Sequence, residues 1–287
     1  MKTLMKWGSI LLITVMVTLF FPGCKKENSQ SGLSSNQQNV SIYLTDDPAL
    51  FDKVLIDIQS VQVQVDTCNR RHNDDDHDGD HHDKDDDSCV IWKTLDIRPG
   101  VYDLLTLRNG LDTLLAGGIV PAGEIKKIKI ELGTDNSLVK DSVVYPLNLP
   151  RGAQSFIILK MKGGDWDEFR PGQLRLWLDF DVARSIIQFN NMFFLNPVIH
   201  FFTVKSTGSI QGDVVPREAL AVVSVYNSND TAYAIPRHDG EFKIRGLKEG
   251  SYTVFINGSN GYQDTTINNV NVSIRHETNL GKITLRH

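Results

Sequence analysis

The 287-residue sequence lacks a bilayer-length apolar run, holds only three cysteines, and carries none of the glycine patterns that cradle phosphates. A membrane span needs roughly 20 apolar residues, and the longest run here, residues 10–21, is nearer a dozen. The missing phosphate loop and dinucleotide fingerprint remove the common nucleotide-binding chemistries. Serines are many, but none sits in a nucleophile elbow, so no Ser-His-Asp order can be assigned. Lys and Arg number 30 against 35 Asp and Glu, a formal charge of −5. That balance argues against nucleic acid, whose binding rests on basic side chains neutralising phosphates. No feature identifies a reaction, and the reading is of a non-enzymatic protein.

What is present begins at the N-terminus. Lys2 and Lys6 precede the apolar run, and Pro22-Gly23-Cys24 closes it with a small residue before a cysteine. This order fits a secretory signal with a small-residue cleavage site. The segment resembles a bacterial lipoprotein signal, which implies removal of residues 1–23 and lipidation of Cys24. Losing Lys2 and Lys6 takes the formal charge from −5 to −7. The triacylated terminus that the resemblance implies would be a firm membrane tether, because two or more chains anchor stably. The expected location is the bacterial cell envelope, as an outer membrane lipoprotein on a face the sequence leaves open. Residues 24–38 are polar and rich in Ser and Gln, as a flexible tether requires.

In an exported, oxidising setting Cys68 and Cys89 are expected to pair. A loop of roughly 20 residues closed in this way is worth about 3 kcal/mol in the chain-entropy model. The alternative, two thiolate metal ligands, suits the cytosol better.

From Val40 the apolar pattern has period two. Val40, Ile42 and Leu44 alternate, as do Val54, Ile56 and Ile58, then Val61, Val63 and Val65. The parity switches across Gln59-Ser60, which predicts a bulge there. Ile128, Ile130 and Leu132 form another stripe, and Leu174, Leu176, Leu178 and Phe180 the clearest one, with Arg175, Trp177, Asp179 and Asp181 opposite. Residues 156–161 are more continuously apolar and are expected to be buried on both faces. Asn109-Gly110, within a Leu-rich stretch, predicts a hairpin. Six further strands are expected over 209–215, 221–226, 242–244, 252–256, 270–274 and 282–285, with Lys205-Ser206-Thr207 as a hinge. The fold class is all-β: two β-sandwich domains, Ig- or transthyretin-like, at 39–204 and 208–287, assembled antiparallel with little helix.

Two resemblances fit this division. Gly208-Ser209-Ile210-Gln211-Gly212, His238-Asp239-Gly240-Glu241-Phe242-Lys243-Ile244 and Gly246-Leu247-Lys248-Glu249-Gly250-Ser251-Tyr252 look like the carboxypeptidase regulatory-like family. That implies a transthyretin-like accessory sandwich without a peptidase site. Asp239-Gly240 supplies the tight turn, and Phe242 and Ile244 point to the core. The larger unit resembles the domain of unknown function 4382 family, through Tyr43-Leu44-Thr45-Asp46-Asp47-Pro48, Trp92-Lys93-Thr94-Leu95, Tyr102-Asp103-Leu104-Leu105, Leu178-Asp179-Phe180-Asp181 and Leu195-Asn196-Pro197. This second resemblance implies an architecture and an envelope location, with no activity attached.

Between the cysteines, residues 69–88 hold nine aspartates and four histidines. Such a run repels itself and stays hydrated. Asp74, Asp76, Asp78 and Gly79 match the opening of a calcium-binding loop, with Asp80 following and Asp85 at the twelfth position, where Glu is usual. His72, His77, His81 and His82 add imidazoles suited to Zn²⁺ or Cu²⁺. Two readings stand: a site for Ca²⁺, Mg²⁺ or Zn²⁺, or a solvated acidic loop with loose ion association. Trp166 and Trp177 are the exposed-aromatic candidates for stacking on a sugar. Asp179 and Asp181, two apart, have a spacing that paired-carboxylate hydrolases use, against the simpler reading of an outward strand face. Asp57 is read as outward-facing, and His200 as a core or edge histidine.

The function these features favour is surface binding or scaffolding by a lipid-anchored protein. The Asp/His loop would respond to divalent cations and present a neighbouring surface to a glycan or protein. The rivals are an envelope-polymer hydrolase working through Asp179 and Asp181, and a purely structural stalk or adhesin part.

Overall fold

Val40, Ile42 and Leu44 are all buried on one side of the strand Gln37–Asp46, as alternation requires. In the computed structural model the described residues are 33–46, 51–68, 89–162 and 165–287. The first sheet runs Asp167–Arg170, Gln173–Phe180, Gln37–Asp46, Thr113–Pro121 and Asp96–Ile97, with Ile199–Phe202 paired to the far end of Gln173–Phe180. The second runs Phe156–Lys160, Glu124–Leu132, Lys53–Asp66, Ser137–Lys140, Val143–Asn148, Met192–Leu195 and Ile186–Phe189. Val90–Thr94 and Gly100–Asp103 also pair with Lys53–Asp66. Leu176, Leu178 and Ile42 from the first sheet meet Ile56, Val61, Val63, Ile128 and Ile130 from the second in one hydrophobic core.

The bulge falls where the parity switch places it. Ile58 pairs with Leu132, but Ser60 already pairs with Glu131, so Gln59 is the extra residue. The expectation of a purely antiparallel assembly is corrected: Gln37–Asp46 and Gln173–Phe180 run parallel, Val40 opposite Leu174 and Leu44 opposite Leu178. Alternation fixes which face a side chain takes and is blind to strand direction.

Three local expectations also change. Residues 156–160 form an edge strand paired to Glu124–Leu132 alone, and Ile158 is exposed. Asn109 and Gly110 have φ of +58° and +73°, the left-handed pair of a tight turn, but they join a 3₁₀ turn, Leu104–Leu107, to the strand Thr113–Pro121. Asp57 is buried; its carboxylate accepts from the amide of Asp135 at 3.3 Å and from the Gln59 side chain, and it underlies the turn at 133–136.

A second hydrophobic cluster gathers Ile210, Val223, Val225, Phe242, Ile244, Tyr252, Val254 and Ile256. It lies between a sheet ordered Glu241–Leu247, Gly208–Val215, Glu277–Thr284 and a sheet ordered Thr231–Ala234, Val222–Tyr226, Gly250–Asn257, Thr265–Val272. The short strand Thr231–Ala234 has no counterpart in the sequence reading. Gly240, at φ +93°, turns the chain where Asp239-Gly240 predicts, and Phe242 and Ile244 are buried. Tyr252 is buried with its hydroxyl donating to the Lys248 carbonyl at 3.1 Å, a tether of the tyrosine-corner kind.

Residues 203–207 form a hydrogen-bonded turn. Thr207 Oγ1 donates to the Thr203 carbonyl at 2.6 Å, and the Arg275 amide donates to the Thr207 carbonyl at 2.8 Å. By backbone contacts, Leu33–His287 is one compact unit.

Candidate functional site

Two places concentrate chemistry among the described residues: the neck of the acidic loop and the surface where the two cores meet. The neck is built by an antiparallel ladder in which Asp66 pairs with Val90. Beyond it the Thr67 amide donates to the Cys89 carbonyl at 3.0 Å, and the Cys68 amide to Asp66 Oδ1 at 3.0 Å. Cys68 and Cys89 are bonded, with Cα atoms 5.4 Å apart, inside the range a disulfide needs. The expected pairing is therefore present, at the end of the longest strand of the sheet. The metal candidates Asp74, Asp76, Asp78, Asp80, Asp85, His77, His81 and His82 lie outside the described residues, as does the lipidation candidate Cys24. Among the described residues no group of three or more His, Cys, Asp or Glu converges as a metal site, and no helix is long and apolar enough to cross a membrane.

The second place forms on the outward face of Gln173–Phe180. Sequence parity puts Arg175, Trp177 and Asp179 there, and a lone sandwich would leave them in water. Trp177 is instead only 5% exposed, which corrects its reading as an exposed aromatic. Tyr43, its partner on the neighbouring parallel strand, stacks on it at 5.0 Å, and Phe202 on the other side at 6.1 Å. Its indole Nε1 donates to Asp112 Oδ2 at 2.8 Å. Arg245, from the second core's sheet, donates to the same oxygen at 2.6 Å and to the Gly110 carbonyl at 3.2 Å. The guanidinium also sits 5.5 Å from the Trp177 ring and 5.9 Å from Phe202.

Asp112 thus accepts from both sides of the contact, and the cation that neutralises it lies over the aromatic stack. Gly246, at φ +76°, lets the strand Glu241–Leu247 of the second core approach so closely that a Cβ there would stand 3.0 Å from the Phe202 ring. Beside this lock, Asn109 Nδ2 donates to the Ile235 carbonyl at 2.7 Å. A cleft of about 370 Å³ opens there, lined by Asn109, Gln211, Asp213, Arg237, Glu241 and Lys243.

The remaining sequence candidates separate. Trp166 is half-buried against the first core, with its Nε1 buried and without a hydrogen-bond partner among the described residues. Asp181 is buried, which corrects its reading as outward: its carboxylate caps the helical turn Val182–Ser185, accepting from the Arg184 amide at 2.9 Å. Arg184 Nε at 3.4 Å and His200 Nε2 at 3.7 Å neighbour the same carboxylate. Asp179 pairs in register with the exposed edge residue His200 and lines a small pocket beneath the second core's strand Glu241–Leu247. The two carboxylates therefore serve different surroundings and do not share a cleft. The sequence reading missed Asp112, Arg245, Tyr43 and Phe202. The available signal was an aromatic at the outward position of three adjacent strands, too apolar a row for a solvent face.

The start of this architecture coincides with that of a known family. The family described as domain of unknown function DUF4382 matches residues 37–197, more than half of the chain, starting at the first residue of the first strand. The chain belongs to the DUF4382 family. The DUF4382 region carries the neck, Tyr43, Asp112 and Trp177; Phe202, Arg245 and the second core lie beyond it. A comparison with curated proteins returns no match. Among solved structures, a type II cohesin–X-dockerin complex from Acetivibrio cellulolyticus is similar at 25% identity over 27% of this chain and 56% of that chain, with TM-score 0.23. The shaft pilin spaA from Lactobacillus rhamnosus GG is 10% identical, covering 88% of this chain and 97% of its own, with TM-score 0.22. The minor pilin GBS52 from Streptococcus agalactiae is 13% identical, with 88% and 95% covered and TM-score 0.22. Likenesses at these scores carry no argument about this DUF4382 protein.

Proposed function

We infer that this chain is a non-enzymatic, lipid-anchored protein of the bacterial cell envelope, held through Cys24, that binds or scaffolds through a cation-responsive Asp/His loop. The observation that carries this reading is the Cys68–Cys89 bridge, which clasps both ends of the acidic insertion on a rigid strand ladder. Preorganising a loop lowers the entropy that a ligand must remove. Nine carboxylates close together repel one another, so a divalent cation gains affinity from cancelling that repulsion. Ca²⁺ or Mg²⁺ would use Asp74, Asp76, Asp78, Asp80 and Asp85, and Zn²⁺ would use His77, His81 and His82. The cation-fixed loop then presents an adjoining surface to a glycan or a protein.

The second unit, 208–287, is read as a carboxypeptidase regulatory-like accessory module. The Asp112–Arg245 lock holds it against the DUF4382 region, so a partner meets a fixed surface rather than a swinging arm. Limited proteolysis tests the loop directly. Cleavage within 69–88 is expected to slow when Ca²⁺ or Zn²⁺ is added; a rate unchanged by either ion contradicts the reading.

A further inference from the structure

The outward face of the second sheet changes character across its width. Over Lys53–Asp66 and Glu124–Leu132 it carries Gln62 opposite Lys129 and Gln64 opposite Lys127. At the other end it carries Val144, Ile187, Phe189 and Met192, exposed by 67, 45, 62 and 53%. Pairing puts these on one face: Phe189 lies opposite Met192, and Ile187 opposite Phe194. The alternate residues Phe193, Leu195 and Leu147 enter the core, which leaves Val144 pointing outward with the others. No residue in 143–150 or 185–197 is charged.

Among the described residues the strand Ile186–Phe189 also ends the sheet. Asn190 and Asn191, at φ +48° and +57°, form a two-residue turn of the type I′ kind. Such a turn makes Phe189 with Met192, and Ile187 with Phe194, the hydrogen-bonded pairs. The backbone N–H and C=O groups of Ile186 and Gln188 therefore point away from the hairpin, toward the open edge. Sheet edges are ordinarily guarded by charge, proline or a bulge. This register is unbroken, and the strand has none of those devices. The opposite edge, Phe156–Lys160, ends on a lysine and lies beside Lys127 and Lys129.

We propose that this edge joins two copies of the chain, Ile186–Phe189 pairing antiparallel with its counterpart about a two-fold axis at Ile187. Ile186 then exchanges hydrogen bonds with Gln188 of the other copy and the reverse, while the two Ile187 side chains meet across the axis. A second copy is the occupant that the charge pattern selects. A two-fold interface sets one patch against itself, so a charged patch opposes like charges and this neutral one does not. Only Ile187 and Phe189 lie on the pairing strand, with Met192 and Val144 one and two strands in; at about 150 Å² per side chain the two, 45 and 62% exposed, offer about 160 Å² per copy. About 320 Å² of side chain in all, beside the backbone bonds, falls well short of the roughly 1,200–2,000 Å² of stable complexes, so the association is reversible and concentration-dependent.

The test uses the full chain in detergent, with Cys24→Ser so that position 24 carries neither lipid nor thiol. Sedimentation velocity over rising concentration is expected to show a monomer–dimer equilibrium. Ile187→Lys is expected to abolish the dimer without lowering the melting temperature. Ile187→Cys is expected to yield a disulfide-linked dimer on mild oxidation, because residues facing across a non-hydrogen-bonded antiparallel pair bring their Cβ atoms close. A chain monomeric at every concentration, a dimer indifferent to Ile187→Lys, or a monomer that instead binds lipid vesicles through this patch would each overturn the proposal. If Ile187→Lys fails to fold, Gln188→Pro removes the outward amide and leaves the hairpin's own bonds in place. Persistence of the dimer in that variant would equally refute it.

Discussion

Removing the Trp177 side chain tests whether the two cores are locked as described. The indole is 5% exposed, lies between Tyr43 and Phe202, and donates to Asp112. Truncating a buried aromatic to alanine costs about 3–5 kcal/mol. Within that figure, two ring contacts account for roughly 0.5–1.5 kcal/mol each, and a hydrogen bond to a charged acceptor for about 1.5–3 kcal/mol. For a chain of this size one kcal/mol moves the midpoint by roughly 2–4 °C, so Trp177→Ala should melt about 6–20 °C lower. Trp177→Phe keeps the stack and loses the donor. Asp112 still accepts from Arg245, so that variant should lose only about 1–2 kcal/mol. Circular dichroism melts of the two variants, with Arg245→Ala and the Trp177→Ala/Arg245→Ala pair, complete the cycle. The two sites share Asp112, so their effects should be non-additive by at least about 0.5 kcal/mol. A Trp177→Ala melt within a degree of the parent, or strict additivity, would refute the interlocked arrangement.

Gly246→Ala would place a methyl against Phe202 at a backbone angle that L-residues disfavour; a loss of about 1–2 kcal/mol is expected in urea unfolding. Cys68→Ser should lower stability by about 3 kcal/mol, matching the effect of reductant on the parent, and the two treatments should not add. Burial, reinforced by Asp230, holds the Tyr252 hydroxyl above its ordinary 10.0, although bonds with Asn227 and Lys248 pull it down. The folded state therefore keeps this proton more tightly than the unfolded chain. Its contribution is complete below the unfolded value of 10.0 and declines as pH rises through the folded one. Unfolding free energy measured against pH should fall in that alkaline window, and Tyr252→Phe should flatten the fall.

Much of the strand pattern was legible because each sandwich buries one face of every strand, and period two reads that face directly. The parity switch at Gln59-Ser60 even located a bulge, since an extra residue is the one way to keep Ile58 and Val61 on the same side. What parity cannot distinguish is water from a neighbouring unit. Trp177 and Asp179 alternate outward as they should, yet a second sheet covers them, and the residue that anchors it, Arg245, lies 133 positions from Asp112. Asp57 and Asp181 were misread for a related reason. A carboxylate beside a turn is buried when backbone amides converge on it, and hydrophobic alternation carries no record of those amides. Residues 156–160 are apolar on both faces but pair on one side only, because composition reports burial and not a strand's place in the sheet order. The cysteine pair was readable from compartment logic, while the ligand set it encloses was readable only as composition.

The central claim is that the clasped loop is a cation site, and calorimetric titration of Ca²⁺ and Zn²⁺ into the oxidised chain tests it most directly. Saturable heat at whole-number stoichiometry, abolished when 69–88 is deleted and weakened when Cys68 and Cys89 are reduced, is the expected result. Weak, salt-sensitive heat that never saturates, or binding that survives the deletion, would contradict it.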